Sequence, residues 1–258
     1  MHFFKYQGTG NDFVLIDDRE KTFPAGNPAL IARLCDRRFG IGADGLILLQ
    51  SDADSDFRMV YFNADGREGS MCGNGGRCTV RFAHDLGLIQ DSTRFVAVDG
   101  EHLASVCEEE IFLKMGNVSR LEPHPDYDYL DTGSPHVVAF VHELKDFDVF
   151  EKGQDIRYAP EWVERGGTNV NFVEVLDEQT LFVRTYERGV EDETFSCGTG
   201  VTACALAAHV RHGLPDPIDI RTLGGPLRVS FERGEENTFS NIYLIGPAKR
   251  VFTGEVNV

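Results

Sequence analysis

No apolar stretch in this 258-residue sequence is long enough to cross a bilayer. The longest runs, such as Leu46 to Leu49 and Val137 to Val141, stop far short of the roughly 20 residues a helical span needs. Basic residues are also scarce. Against 42 Asp and Glu there are only 25 Lys and Arg, and the net charge of -17 repels phosphate backbones and anionic lipid surfaces. Nucleic acid and membranes are therefore not expected partners. The opening residues, Met1-His2-Phe3-Phe4-Lys5-Tyr6-Gln7-Gly8, lack a basic leader followed by a sustained apolar core, so the expected location is the cytoplasm. With that start and this length, the six cysteines (Cys35, Cys72, Cys78, Cys107, Cys197 and Cys204) are expected as free thiols in a reducing compartment, not as a disulfide frame.

What the chain does have is a core-forming composition, 41% hydrophobic, enough for one large domain or two of ordinary size. It also has an internal repeat. Cys72-Gly73-Asn74-Gly75-Gly76-Arg77-Cys78 runs on to Ala83-His84, and Cys197-Gly198-Thr199-Gly200-Val201-Thr202-Ala203-Cys204 runs on to Ala208-His209. Ala and His follow the leading cysteine at the same offsets, eleven and twelve residues, in both copies. The copies lie about half a chain length apart, which indicates a duplicated domain and not a solenoid of short units.

The two copies share a local grammar. Phe57 to Phe62 and Leu181 to Tyr186 are rich in aromatic and β-branched residues, as strands are, and turn-rich loops follow at Asn63-Ala64-Asp65-Gly66 and Glu187-Arg188-Gly189. After each cysteine comes a helical pattern. Val201, Cys204, Ala205 and Ala208 recur at helical spacing before Gly213, and Cys78, Phe82 and Leu86 do so before Gly87. Further strand-like runs at Phe13 to Ile16, Leu46 to Leu49, Val137 to Val141, Asn171 to Leu176, Leu227 to Phe231 and Ile242 to Ile245 make each half a mixed α/β unit with few helices. No low-complexity linker separates the halves, and the boundary is placed near Met115 to Arg120.

Both Cys72 and Cys197 are thus expected at helix N-termini, where unpaired N–H groups and the positive dipole end favour an anion. A cysteine there is biased toward thiolate, from a pKa of about 8.5 toward neutrality, and a bound carboxylate is gripped by the same donors. Inverting a carbon centre needs a base on one face and an acid on the other, each within hydrogen-bond reach. Donors aimed at the substrate carboxylate stabilise the enolate-like charge that develops when the α-proton leaves. Two cysteines from duplicated halves suit that chemistry and would titrate as a pair.

Competing uses of these residues are less well matched. Cys35, Cys107, Cys78 and Cys204 are read as small buried hydrophobes. Counting Cys72, Cys78, Cys197 and Cys204 as zinc ligands requires wider gaps than zinc knuckles use, so no metal is expected. Gly40-Ile41-Gly42-Ala43-Asp44-Gly45 fits the G-x-G-x-x-G pattern, yet it follows a helix-like segment (Ala29 to Arg38) and precedes a strand-like run, the reverse of a phosphate-cradling turn.

Several motifs in this order make the sequence resemble the diaminopimelate epimerases along essentially its whole length. They are Gly8-Thr9-Gly10-Asn11-Asp12-Phe13, Arg38 through Gly45, Asn63-Ala64-Asp65-Gly66, Met71 through Cys78, Gly133-Ser134-Pro135-His136, Thr168-Asn169-Val170-Asn171-Phe172, Tyr186-Glu187-Arg188-Gly189 and Ser196 through Gly200. The resemblance implies conversion of LL-2,6-diaminopimelate to the meso form in lysine biosynthesis, with no cofactor. It implies an α/β (α+β) fold of two pseudo-symmetric halves, each a mixed strand barrel around a central helix, with residues 1–116 plus 246–258 carrying Cys72 and residues 117–245 carrying Cys197. By the same resemblance Cys72 and Cys197 are catalytic. Asn11, Asn63, Gly73, Asn74, Asn169, Glu187, Arg188, Gly198 and Thr199 bind substrate, and His136 with Glu187 supports the thiols.

The pattern is broken at Gly45, where many relatives carry glutamine, and at Ser134, where asparagine is common. Phe252 stands where many have a dimer-contact tyrosine, and a homodimer is the expected assembly. The nearest alternative is a proline or hydroxyproline racemase. Asn74 in place of that family's histidine, together with Arg188 for a second carboxylate, favours the diaminopimelate reading. A thiol-regulated binding protein, with Cys72 and Cys197 able to form a disulfide, is the alternative outside enzymes.

Overall fold

A computed structural model describes residues 1–257. In chain order the elements are β1 (His2–Gly8), β2 (Asn11–Asp17), α1 (Pro28–Cys35), β3 (Gly45–Gln50), β4 (Phe57–Asn63), α2 (Gly73–Asp85), β5 (Ser92–Ala97), β6 (Gly100–Cys107) and β7 (Glu110–Lys114). They continue with β8 (Leu121–Pro123), β9 (Asp128–Asp131), β10 (Pro135–Phe140), α3 (Val149–Arg157), α4 (Pro160–Glu164), β11 (Asn169–Val175), β12 (Thr180–Glu187) and β13 (Asp192–Thr194). Last come α5 (Gly198–His212), β14 (Ile218–Thr222), β15 (Gly225–Arg233), β16 (Phe239–Pro247) and β17 (Lys249–Glu255). The chain divides into two compact units, Met1–Leu113 with Gly246–Val258, and Lys114–Ile245. The division falls three residues before the position read from the sequence.

Within the first unit the strands pair in the order β17-β1-β2-β3-β4-β5-β6-β7, with two parallel steps, β2 to β3 and β4 to β5. Within the second the order is β8-β9-β10-β11-β12-β14-β15-β16, with parallel steps at the same two places, β10 to β11 and β12 to β14. A parallel step needs a crossover connection, and α2 and α5 occupy the equivalent crossovers. The mixed α/β architecture with few helices is therefore the one the sequence indicates, repeated once.

Each crossover helix is wrapped by its own sheet. In the first unit α2 touches β17, β1, β2, β3, β4 and β6, and in the second α5 touches β9, β10, β11, β12, β14 and β15. One helix can reach strands from edge to edge only if the sheet curls around it. The composition agrees: Gly200 through Ala208 are all buried, as are Gly73 through Val80, so neither helix keeps a solvent stripe there. Gly213, at φ 73°, ends α5 in the left-handed conformation that favours glycine.

The ladders also set up a residue-by-residue equivalence between the units. Phe13 pairs with Gly45 on β3 as His136 pairs with Asn169 on β11, and Ile47 pairs with Tyr61 as Asn171 pairs with Thr185. Phe13, Ile47 and Tyr61 of the first unit thus correspond to His136, Asn171 and Thr185 of the second.

Two local expectations need correction. Helix α1 stops at Cys35, short of Arg38, because the Asp36 side chain accepts hydrogen bonds from the N–H groups of Arg38 and Phe39 and turns the chain. Cys107 is exposed at the end of β6, where the next residue already belongs to a turn.

Candidate active site

Cys72 is the N-cap of α2 and Cys197 the N-cap of α5, both in extended conformation and neither spending its side chain on a cap hydrogen bond. The helices begin with their first backbone bonds from Gly76 N–H to Cys72 O (2.7 Å) and from Val201 N–H to Cys197 O (2.9 Å). The N–H groups of residues 73–75 and 198–200 consequently have no acceptor inside their helices. Glycines admit this geometry by allowing close approach to the sheet. A Cβ on Gly75 would stand 3.2 Å from Ile47 Cδ1, and one on the equivalent Gly200 only 2.4 Å from Asn171 Oδ1.

Around Cys72 the site is charged. The half-buried Cys72 Sγ lies 3.6 Å from Asn11 Oδ1, which also accepts from Asn74 Nδ2 at 3.5 Å. Asn11 is oriented by Asp44, whose carboxylate accepts from Asn11 Nδ2 at 2.6 Å and from the Asp12 N–H at 3.1 Å. Arg37 bridges Asp12 and Asp44, and Lys5 pairs with Asp12 at 2.7 Å. Burial opposes a charge on Asp12, but hydrogen bonds and charge from Arg37 and Lys5 outweigh it and hold the carboxyl well below the usual carboxylate range.

One helical turn on, Arg77 is fully buried, and among the described residues no carboxylate pairs with it. Its guanidinium donates to Asn74 Oδ1 (3.0 Å), Thr9 Oγ1 (3.1 Å) and Gly73 O (3.5 Å), while its Nε has no partner. Burial pushes the guanidinium pKa down to about 10, with the charges of Cys78 and Cys72 acting the other way. A buried cation this poorly compensated is costly, and its guanidinium fixes the orientation of the Asn74 amide.

Around Cys197 a chain of hydrogen bonds runs through uncharged groups. Cys197 Sγ lies 3.5 Å from Thr199 Oγ1, which lies 2.9 Å from His136 Nε2. His136 is fully buried, and its pKa is pushed down to about 3, first by burial and then by the nearby charge of Arg188. Asn171 and Thr185 complete this cluster.

Asn169 ties two loops together. Its Nδ2 donates to Ser134 Oγ (2.9 Å) and Pro135 O (3.0 Å), and its Oδ1 accepts from the Arg188 N–H (2.9 Å). The half-buried Arg188 guanidinium rests on Gly166 O and Gly167 O, and Glu187 accepts from Thr194 Oγ1 at 2.9 Å. Asn63 is exposed at the end of β4.

Gly45 departs from the family pattern for a visible reason. A Cβ there would sit 2.4 Å from the Tyr61 ring and 2.5 Å from Phe62 O. The glycine-rich Gly40–Gly45 segment wraps the C-terminal end of α1. The N–H groups of Gly40, Ile41, Gly42 and Ala43 bond to the carbonyls of Asp36, Leu34 and Cys35, so they are committed to the protein itself.

The remaining buried thiols are held protonated. Burial raises Cys35 to about 11, Cys78 to about 12 and Cys204 well above its ordinary value. Arg77 and Thr9 bond around Asn74, and Asn171 and Thr185 bond behind His136, four residues to which the sequence assigned no role. The available signal was a polar residue in an otherwise apolar register, such as Asn171 between Val170 and Phe172 on a strand buried on both faces.

A diaminopimelate epimerase family model matches residues 3–121 and 129–251. The diaminopimelate epimerase of Flavobacterium psychrophilum is 52% identical over 254 residues, spanning 98% of each chain. That of Chlorobaculum tepidum is 42% identical over 270 residues, covering 97% of this chain and 99% of its own. Among solved structures, a PhzF-family phenazine biosynthesis protein of Bacillus anthracis superposes with a TM-score of 0.79 at 17% identity, covering 100% of this chain and 99% of that one. A hydroxyproline epimerase from Agrobacterium vitis superposes with a TM-score of 0.70 at 14% identity, covering 98% and 91%. These two structural likenesses speak to the fold alone. Because the family match covers both repeats and the sequence relatives align end to end, the chain belongs to the diaminopimelate epimerase family.

Proposed function

We propose that this protein is a cofactor-independent isomerase that interconverts LL- and meso-2,6-diaminopimelate, with Cys72 and Cys197 as the acid and base on opposite faces of the substrate α-carbon. One observation carries the reading: in a topology that occurs twice, each crossover helix is N-capped by a cysteine whose sulfur is not used for capping. In this reading the 73–74 and 198–199 segments, Gly73-Asn74 and Gly198-Thr199, hold the reacting carboxylate with backbone N–H groups. Negative charge accumulates on that carboxylate as the α-proton leaves, so these donors stabilise the transition state more than the ground state.

Asn11, Asn63, Asn169, Glu187 and Arg188 recognise the substrate, the last two providing charges for its distal amino-acid end. Both amide hydrogens of Asn169 are bonded within the protein, so its contribution is one lone pair on Oδ1 and the placement of Ser134 and Arg188. His136 and Glu187 support the thiols. Residues 1–116 with 246–258 form the half that supplies Cys72, and residues 117–245 the half that supplies Cys197. A cytoplasmic homodimer using the exposed β17 face around Phe252 completes the proposal.

The test is NMR of LL-diaminopimelate with freshly reduced protein in D₂O, without pyridoxal phosphate or metal. α-Deuterium incorporation together with the meso isomer is expected. Folded, reduced protein that produces neither, but exchanges the α-proton of proline or hydroxyproline, would replace the substrate assignment.

A further inference from the structure

Asn171 lies on β11 with no route to the surface, fully buried beneath the first turn of α5. Its amide has one possible orientation. Val137 O, 2.9 Å away, can only accept, so the facing atom is Nδ2; Thr185 Oγ1, 3.0 Å away on the other side, donates to Oδ1. The second Nδ2 hydrogen points at His136 Nδ1, 3.1 Å away. That nitrogen must therefore be the unprotonated one. The buried ring is neutral and carries its single proton on Nε2, which donates to Thr199 Oγ1 at 2.9 Å. Because Nε2 is the donor to Thr199 Oγ1, the Thr199 hydroxyl hydrogen is not used on histidine and is free to point at Cys197 Sγ, 3.5 Å away, when that sulfur is a thiolate.

We infer that Asn171 is a positioning residue: by fixing the Nε2–H tautomer of His136 it makes the Thr199 hydroxyl a hydrogen-bond donor to the Cys197 sulfur, which favours the thiolate of that cysteine. The inference rests on the reading of Cys197 as an acid–base group and gives that group its direction in the substrate-free protein. The opposite tautomer would set two N–H groups against each other at Nδ1, make Thr199 donate to His136, and leave Cys197 facing an oxygen lone pair that favours the thiol. The corresponding residues of the first unit are Phe13, Ile47 and Tyr61, so the His–Asn pair itself is not repeated there. Arg188 disfavours protonation of His136, Cys204 beside Cys197 is held protonated by burial, and Glu187, proposed above to support the thiols, precedes Arg188 in the chain.

The test combines two readouts on the full-length protein. ¹⁵N-histidine correlation spectra report the tautomer of His136, and iodoacetamide alkylation across pH, resolved by peptide mass spectrometry, reports Cys72 and Cys197 separately. The wild type is expected to show the Nε2–H form. Asn171→Asp keeps the shape but presents an oxygen to Nδ1, and should switch the ring to Nδ1–H. The apparent pKa of Cys197 should then rise by about one to two units, the shift expected when a thiolate loses one hydrogen bond, while that of Cys72 does not rise with it, since a proton shared by the pair moves away from Cys72. Thr199→Val should give the same rise without changing the tautomer, and Thr199→Ser should restore the wild-type profile.

An Nδ1–H form in the wild type would overturn the inference, as would a folded Asn171→Asp protein whose Cys197 profile is unchanged. Should Asn171→Asp fail to fold, the wild-type tautomer and the Thr199 pair still decide. Failure of the parallel D₂O assay would reject the epimerase reading instead, and neither readout depends on turnover.

Discussion

The two units repeat one topology and place a cysteine at the same helix end, yet they surround it with opposite chemistry. Beside Cys72 lies a buried guanidinium, Arg77, set among amides that Asp44 and Arg77 orient, and the strand positions beneath are apolar, Phe13 and Ile47. Beside Cys197 the equivalent strand positions are His136 and Asn171, and the helix position matching Arg77 is Thr202, whose hydroxyl merely bonds back to Gly198 O. The backbone argument for a low thiol pKa is common to both units; the side chains then differentiate them. Duplication supplies two anion-favouring helix ends, and divergence of buried polar residues sets a buried guanidinium near one cysteine and a threonine–histidine–asparagine chain near the other. In the proposed mechanism, where the two thiols hold one proton between them, such a difference matters, because identical surroundings would leave the proton's position undetermined.

The comparison breaks completely if either thiol is removed. Cys72→Ala and Cys197→Ala should each lower epimerisation by at least about 10²- to 10⁴-fold, the span that a general acid or base contributes, with circular dichroism unchanged. Near-normal α-deuterium exchange in either variant would exclude that cysteine from the mechanism.

Charge on the first side is removed by Arg77→Met, which keeps much of the volume. Loss of hydrogen bonds from a charged donor corresponds to a fall in kcat of about 10- to 100-fold, and the alkylation profile of Cys72, not that of Cys197, should move upward. A matching shift at both cysteines would mean that Arg77 acts on the fold as a whole.

The second side can be rebuilt as the first by His136→Phe with Asn171→Ile. The double replacement removes the His136–Asn171 bond without stranding either partner but leaves the buried Val137 O and Thr185 Oγ1 without theirs, so Tm at pH 7 should fall by several degrees while kcat falls by about 10-fold. Acid stability separates this variant further. His136 has a folded pKa of about 3 against an ordinary 6.5, so between those values the unfolded chain binds a proton that the folded one does not. Stability is therefore complete above about pH 6.5 and is lost as pH falls toward 3, at up to about 1.4 kcal/mol per pH unit from this residue. Melting curves between pH 7 and 4 should be less steeply pH-dependent in the double variant than in the wild type.

The smallest effect on chemistry is expected at Gly45, the ladder counterpart of Asn169. Gly45→Ala forces the Tyr61 ring or the Phe62 carbonyl aside and should cost about 1–3 kcal/mol, or several degrees in Tm, with kcat near that of wild type. An unchanged Tm would show that Tyr61 yields freely.

Much of the architecture was legible because it depends on local rules. The helix after each cysteine follows from spacing such as Val201, Cys204, Ala205 and Ala208 with Gly213 beyond, and the strands at Leu46 to Leu49 and Val137 to Val141 follow from short apolar runs. The end of α1 was missed because a side-chain hydrogen bond from Asp36 competes with the helix, and composition alone does not weigh that contest. The burial of Cys107 was misjudged for a related reason: whether the end of a strand is covered depends on what packs over it.

The sequence by itself determined the duplication, the paired cysteines at helix starts, the acidic surface and the family, since these are written in residue order and short-range periodicity. Only the tertiary structure decided which polar groups meet. Asn171 reaches His136 across 35 positions of sequence, and Arg77 reaches Thr9 across 68. Hydrogen-bond polarity is a property of such meetings: the same asparagine caps a turn when exposed and sets a histidine tautomer when a carbonyl and a ring nitrogen enclose it.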